Sequence, residues 1–135
     1  MIRIADLQTR SLPVGRIRRL AELILDREGR QGSRVSFAFV ADRRIRALNR
    51  RFLRHDFATD VLAFPLAGPL LGEVVISTDT AAREAKSRGI PYEEELLRYV
   101  AHGTLHLLGY EDVDPRKRTR MWRKQESYLR AVRRF

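Results

Sequence analysis

The sequence predicts an α+β fold, with one mixed sheet of about four strands packed against about five helices. Two observations carry this prediction. Short runs rich in Val, Ile and Phe are bounded by turn residues, and between some of them lie longer stretches whose apolar residues recur at helical spacing. The length points the same way: 135 residues suit a single domain over residues 1–135 with a core that needs no disulfide, and the chain has no cysteine.

Taken in order, Ile2 to Leu7 alternates apolar and polar residues and predicts a first strand, which Leu12 and Pro13 end. Val14, Ile17, Leu20, Ala21 and Ile24 predict an amphipathic helix over 13–28, stopped at Gly29. Val35, Phe37 and Phe39 mark a second strand. Asp42 is placed to cap a helix that carries Ile45, Leu48 and Phe52 inward and its arginines outward. A short apolar strand then runs to Pro65. After Gly68 and Pro69, Leu70 to Ser77 gives another strand, and the two predict a hairpin or neighbouring strands.

Ser77 or Thr78 caps the next helix, whose small face is Ala81, Ala82 and Ala85 and whose end is Gly89. Pro91 suits the first turn of a further helix, and Glu93, Glu94 and Glu95 favour its positive end. Leu96, Leu97, Val100, Ala101, Leu105 and Leu108 make this the most buried helix predicted. Asp114 and Pro115 start the last helix, with Trp122, Leu129 and Val132 as an inward stripe; the aromatic residue is read as core rather than as a base-stacking platform. The order of strands in the sheet does not follow from the sequence.

The formal net charge is +10, from 27 basic and 17 acidic residues. Such a field favours polyanions. Much of the excess lies from Pro115 to Phe135, with nine basic residues against one acidic. Arg43, Arg44, Arg46, Arg50, Arg51 and Arg54 form a second cluster with no acid inside it. Arginine forks onto phosphate, although such clusters also occur as solvated helix faces. The absence of cysteine excludes thiolate metal sites and cysteine nucleophiles. No run approaches the roughly 18 apolar residues of a membrane span, and the first twenty residues lack the apolar core of a secretory signal. A soluble, cytoplasmic protein with no membrane partner is expected.

Chemistry concentrates at HGTLHLLGYED, His102 to Asp112. Residues four apart on a helix lie on one face, so His102 and His106 can share one ion. Two histidines leave a catalytic zinc in need of a third protein ligand, with the fourth position open to water. Gly109 can turn the chain back, which makes Asp112 the candidate third ligand, with Glu111 and Asp114 as alternatives. His-x-x-x-His pairs also arise as ordinary hydrogen-bonded core residues. Here they account for two of only three histidines in the chain.

Three stretches together, LNRRFLRHDFATDVLAFPL (48–66), LLGEVVIS (70–77) and HGTLHLLGYED (102–112), resemble the YbeY family of bacterial endoribonucleases. The resemblance implies a zincin-like α+β domain, one zinc per chain and no organic cofactor. It also implies cleavage of single-stranded RNA in maturation of the 3′ end of small-subunit ribosomal RNA and in ribosome quality control. Ribosomal RNA and the ribosome or its small subunit are the partners it implies. Its metal ligands fall on His102, His106 and Asp112, where the family ordinarily has a third histidine at the last place. A carboxylate binds zinc at nearly the same distance, but lowers the net charge of the site. The arginine the family often carries after its aromatic residue is Leu53 here, with Arg54 adjacent and Arg50 and Arg51 nearby as further RNA-binding candidates. Thr59, Asp60, Phe64 and Gly72 match the family's strand motifs and are read as cleft wall and strand pairing.

The chemistry expected is metal-assisted hydrolysis of a phosphodiester, with His102 and His106 at the metal, Arg54 on the phosphate, and Glu111 or His55 as possible general bases. A zinc peptidase is the runner-up enzyme, but Gly103 stands where such enzymes place glutamate after the first histidine. A non-catalytic RNA-binding assembly factor with a structural metal is the other alternative. Structural zinc usually takes four protein ligands, often thiolates, which this chain lacks.

Overall fold

The computed structural model describes residues 1–53, 60–68 and 70–133, with only the backbone at 53. Among these residues the elements are β1 (Ile2–Leu7), α1 (Val14–Arg27), β2 (Arg34–Val40), α2 (Asp42–Leu53), β3 (Val61–Pro65), β4 (Leu70–Ser77), α3 (Thr78–Arg88), α4 (Tyr92–Leu107) and α5 (Pro115–Arg133). The expected α+β class, with a mixed four-stranded sheet and five helices, is what the chain forms.

The sheet order is β1-β2-β4-β3. β1 and β4 both run parallel to β2, in registers that include Ile4↔Phe37 and Phe37↔Val74, and β3 closes the edge antiparallel to β4, with Val61 opposite Ile76. The hairpin reading of β3 and β4 therefore holds. Central parallel strands are covered on both faces, which is why β4 reads as an almost continuous apolar run. Alternation divides the side chains between two cores. Val35, Phe37, Phe39, Val74 and Ile76 face the main core with α1, α4 and α5, whereas Val40, Leu62 and Val75 face Ile45 of α2.

Two expectations about helix faces are corrected. Ile45 is buried and Leu48 partly so, but Phe52 is 57% exposed: at the end of α2 its ring meets Phe64 edge-on, outside the small core of Val40, Ile45, Leu62 and Val75. In α5 the buried stripe is Met121, Gln125, Tyr128, Leu129 and Val132, and Trp122 is 58% exposed. Trp122 shares a face with Leu129, seven residues on, but it lies nearer the start of the helix, where that face borders the cavity beside His102 rather than the core.

Asp42 is not the cap of α2. Ala41 accepts from the Ile45 backbone N–H, and the Asp42 carboxylate instead accepts hydrogen bonds from Ser77 Oγ at 2.6 Å, Thr80 Oγ1 at 2.8 Å and the Arg83 guanidinium. Burial pushes its pKa up, and these donors outweigh that and hold it below the ordinary value. Ser77 does cap α3, accepting from the Thr80 backbone N–H. Pro91 occupies the N-cap of α4, one residue before its first turn.

α4 approaches the sheet closely at two glycines. A Cβ on Gly103 would collide with Val74 Cγ1, and one on Gly72 would stand 2.7 Å from the Phe64 carbonyl oxygen and against Leu107. These contacts set the height of the helix above the sheet. Gly103→Ala should therefore destabilise the fold by about 1–3 kcal/mol through overpacking. A urea midpoint unchanged from wild type would show that α4 has room to shift.

Candidate metal centre

α4 ends in a left-handed turn that reverses the chain. Gly109, at φ 98°, donates its N–H to the His106 carbonyl at 3.0 Å, and Tyr110 donates to the Leu105 carbonyl at 3.1 Å, which together form a Schellman motif. The chain after it folds back beneath the last turns of the helix. His102 Nε2 and His106 Nε2 lie 3.1 Å apart, and Asp112 Oδ2 is 3.8 Å from the first and 3.5 Å from the second.

Ligand atoms about 2.0–2.1 Å from a tetrahedral zinc lie roughly 3.3–3.4 Å from one another. The three observed separations bracket that edge, so the donor set fits one small cation. The imidazoles are 33% and 29% exposed and Asp112 46%, which leaves one side open to solvent.

A chain of hydrogen bonds fixes the tautomer of His102. Arg98 forks onto Glu126, with both N···O distances 2.9 Å. The Glu126 carboxylate can only accept, so the Gln125 amide turns its Nε2 toward it at 3.1 Å and its Oε1 toward His102 Nδ1 at 2.9 Å. His102 Nδ1 therefore carries the proton and Nε2 presents its lone pair to His106 and Asp112. Burial is the main reason the His102 pKa lies below its ordinary value, with His106 adding to the effect and the Gln125 bond opposing it. The neutral imidazole a metal requires is thus the favoured form.

The turn carrying Asp112 is tethered from the other side. Glu28, at the end of α1, accepts from Tyr110 OH at 2.7 Å, from Lys124 Nζ at 3.1 Å and from Tyr128 OH. Burial raises the Glu28 pKa, but the two phenols and Lys124 overcome it and leave the carboxyl below 4.5.

The three acids weighed as third ligand now separate. Asp112 converges with the histidines. Glu111 pairs with Lys117 at 2.9 Å, and Asp114 accepts from the Lys117 backbone N–H at 2.8 Å, capping α5. Arg54, His55, Thr59 and the side chain of Leu53 lie outside the described residues. Arg50 and Arg51 are exposed on the last turn of α2, with the Arg51 guanidinium over the Phe52 ring. Beside the histidines opens a cavity of about 610 Å3 whose walls include Asp60, Tyr99, His102, Asp112, Trp122 and Gln125. Gln125 and Glu28 were not anticipated from sequence; the signal for Gln125 was a polar residue at a buried helical position, and Glu28, the residue that ends α1, carried none. Gly103 points at Val74, so the peptidase position holds no acid and has no room for one.

Fold and site together define an α+β protein with a two-histidine, one-carboxylate centre at the end of its most buried helix. The family model described as Endoribonuclease YbeY matches residues 4–133, and the chain belongs to the YbeY family. A relative of that name from Anaeromyxobacter sp. (strain Fw109-5) is 50% identical over 121 residues, covering 86% of this chain and 63% of the relative. The chain thus spans less than two thirds of that relative's length. One from Chlorobium phaeovibrioides is 37% identical over 133 residues, covering 97% of this chain and 90% of its own. The solution structure of TM1509 from Thermotoga maritima superimposes with a TM-score of 0.76 at 32% identity, covering 98% of this chain and 89% of that one.

Removing the carbonyl that orients His102, as in Gln125→Ala, should weaken zinc binding about 10- to 100-fold, read by competition with a chromogenic chelator. Equal affinity would show that the histidine orients itself. The Glu28 tether has a sign in pH: its folded pKa is depressed, so the stability it contributes is full above its ordinary 4.5 and lost as pH falls through the lower folded value. The thermal midpoints of wild type and Glu28→Gln should therefore converge on acidification, and a constant gap between them would contradict this.

Proposed function

We propose that this chain is a zinc-dependent endoribonuclease that cuts single-stranded RNA, with ribosomal RNA as the substrate class and cytoplasmic ribosome maturation, including the 3′ end of the small-subunit RNA, as its setting. The observation that carries this reading is the convergence of His102, His106 and Asp112 on one open-sided point in a member of a family whose curated relatives bear the name Endoribonuclease YbeY. Among the described residues no helix is long and apolar enough to cross a membrane.

His102, His106 and Asp112 would hold the ion. A zinc bound there supplies an acidified water and neutralises developing charge on a phosphate oxygen. This chain's own groups arrange the rest. Gln125 keeps the His102 lone pair inward, the Tyr110–Glu28 bond holds the Asp112 turn, and the exposed side of the centre lets a phosphodiester approach. Arg50, Arg51 and Arg54 are proposed to bind RNA backbone, with Arg54 nearest in sequence to the family's arginine. Glu111, as a general base, would first have to leave Lys117.

The aspartate in place of a third histidine favours one further reading, an RNA-binding assembly factor with diminished cleavage, because an added anion weakens the acidity of bound water. One experiment separates the two. Zinc content and single-stranded RNA cleavage are measured on wild type, Asp112→Ala and Asp112→His. About one zinc per chain with cleavage in wild type, both lost in Asp112→Ala, supports the nuclease. Zinc and RNA bound without cleavage in wild type, with cleavage gained in Asp112→His, selects the binding factor.

A further inference from the structure

We infer that Trp122 and Arg118 form a nucleotide subsite beside the metal centre, in which the indole stacks on an unpaired base and the guanidinium holds the neighbouring phosphate. The inference rests on the RNA reading above and deepens it by naming where a base would sit.

The first ground is the position of Trp122. It is the only tryptophan in the chain, and it is 58% exposed although the buried stripe of α5 begins at its neighbour Met121. An indole left outside the core is a large apolar plane facing water. Here that plane lines the same cavity as His102 and Asp112, where a bound strand would have to pass.

The second ground is periodicity. Arg118, Trp122 and Gln125 are spaced i, i+4, i+7, so they lie on one face of α5, and all three line the cavity. Gln125 reaches His102 Nδ1 at 2.9 Å. The row therefore runs from a contact with a candidate metal ligand, through an aromatic plane, to a cation one turn farther out. Successive nucleotides present a phosphate and a base in that kind of alternation, and aromatic stacking accepts any base because every base has a π face.

The third ground is which cation is available. Of the three arginines lining the cavity, Arg88 and Arg98 are bound to Glu95, and Arg98 also to Glu126. Among the described residues Arg118 has no carboxylate partner, and its side chain is exposed. In a duplex the stacked neighbours above and below cover both faces of each base, so the subsite accepts single strands.

Because Trp122 is the sole tryptophan, its emission reports on the subsite directly. Zinc-loaded wild-type protein is titrated with a short single-stranded RNA made of uncleavable linkages, and with an abasic strand of the same length and charge. Binding is followed independently by the anisotropy of an end label. The single strand should quench the tryptophan and the abasic strand should not. Trp122→Ala should bind the RNA roughly 5- to 150-fold more weakly, as expected for loss of one stacked base, with zinc content unchanged, and Trp122→Phe should recover most of the affinity. RNA binding with undisturbed emission, or equal affinity in Trp122→Ala, overturns the subsite and leaves the nuclease reading standing. No RNA binding by wild type overturns both.

Discussion

The close seating of α4 on β4 is the constraint from which the rest of the molecule follows. With hydrogen at position 103, the helix descends until Val74 and Val61 meet its backbone, and Gly72 lets Leu107 do the same one turn later. A helix held that low has its rotation fixed, since the apolar residues on both sides of Gly103 interlock with the sheet. His102 and His106 are thereby committed to one direction by packing alone. Rigidity of the scaffold, rather than of a loop, gives the centre its precision.

Polar contacts then place what the helix cannot. The Arg98–Glu126–Gln125 chain orients one imidazole, and the Glu28–Tyr110 bond steadies the turn behind Asp112. Each includes a carboxylate largely shielded from solvent: Glu126 is answered by Arg98 and the Gln125 amide, and Glu28 by Lys124 and two tyrosine hydroxyls. A buried carboxylate without such donors would be costly. Satisfied, it holds its partners in one arrangement. Glu95 follows the same rule deeper in the fold: it is nearly inaccessible, is bound by Arg88 and Arg98, and helps push the Tyr99 hydroxyl pKa upward, an effect in which burial is the larger cause.

α5 serves two surroundings at once. Met121, Tyr128, Leu129 and Val132 close the main core, and the adjacent face carries Arg118, Trp122 and Gln125 along the cavity. One helix thus ties the stability of the core to the shape of the site. Its remaining arginines, among them Arg116, Arg120 and Arg123, face outward and account for much of the chain's positive field.

By itself the sequence determined the order and type of the elements, because the period of apolar residues and the turn residues between them are local properties. It also determined the pairing of His102 with His106, since four residues on a helix are one turn, and made Asp112 the leading third partner through the glycine that reverses the chain. Tertiary structure decided the strand order β1-β2-β4-β3, which of three nearby acids turns inward, and the outward position of Trp122. It also supplied Gln125 and Glu28, whose partners stand 23 and 82 residues away. Trp122, Leu129 and Val132 share one side of the helix, and only the packing showed that this side borders the cavity at Trp122 and the core at Leu129 and Val132.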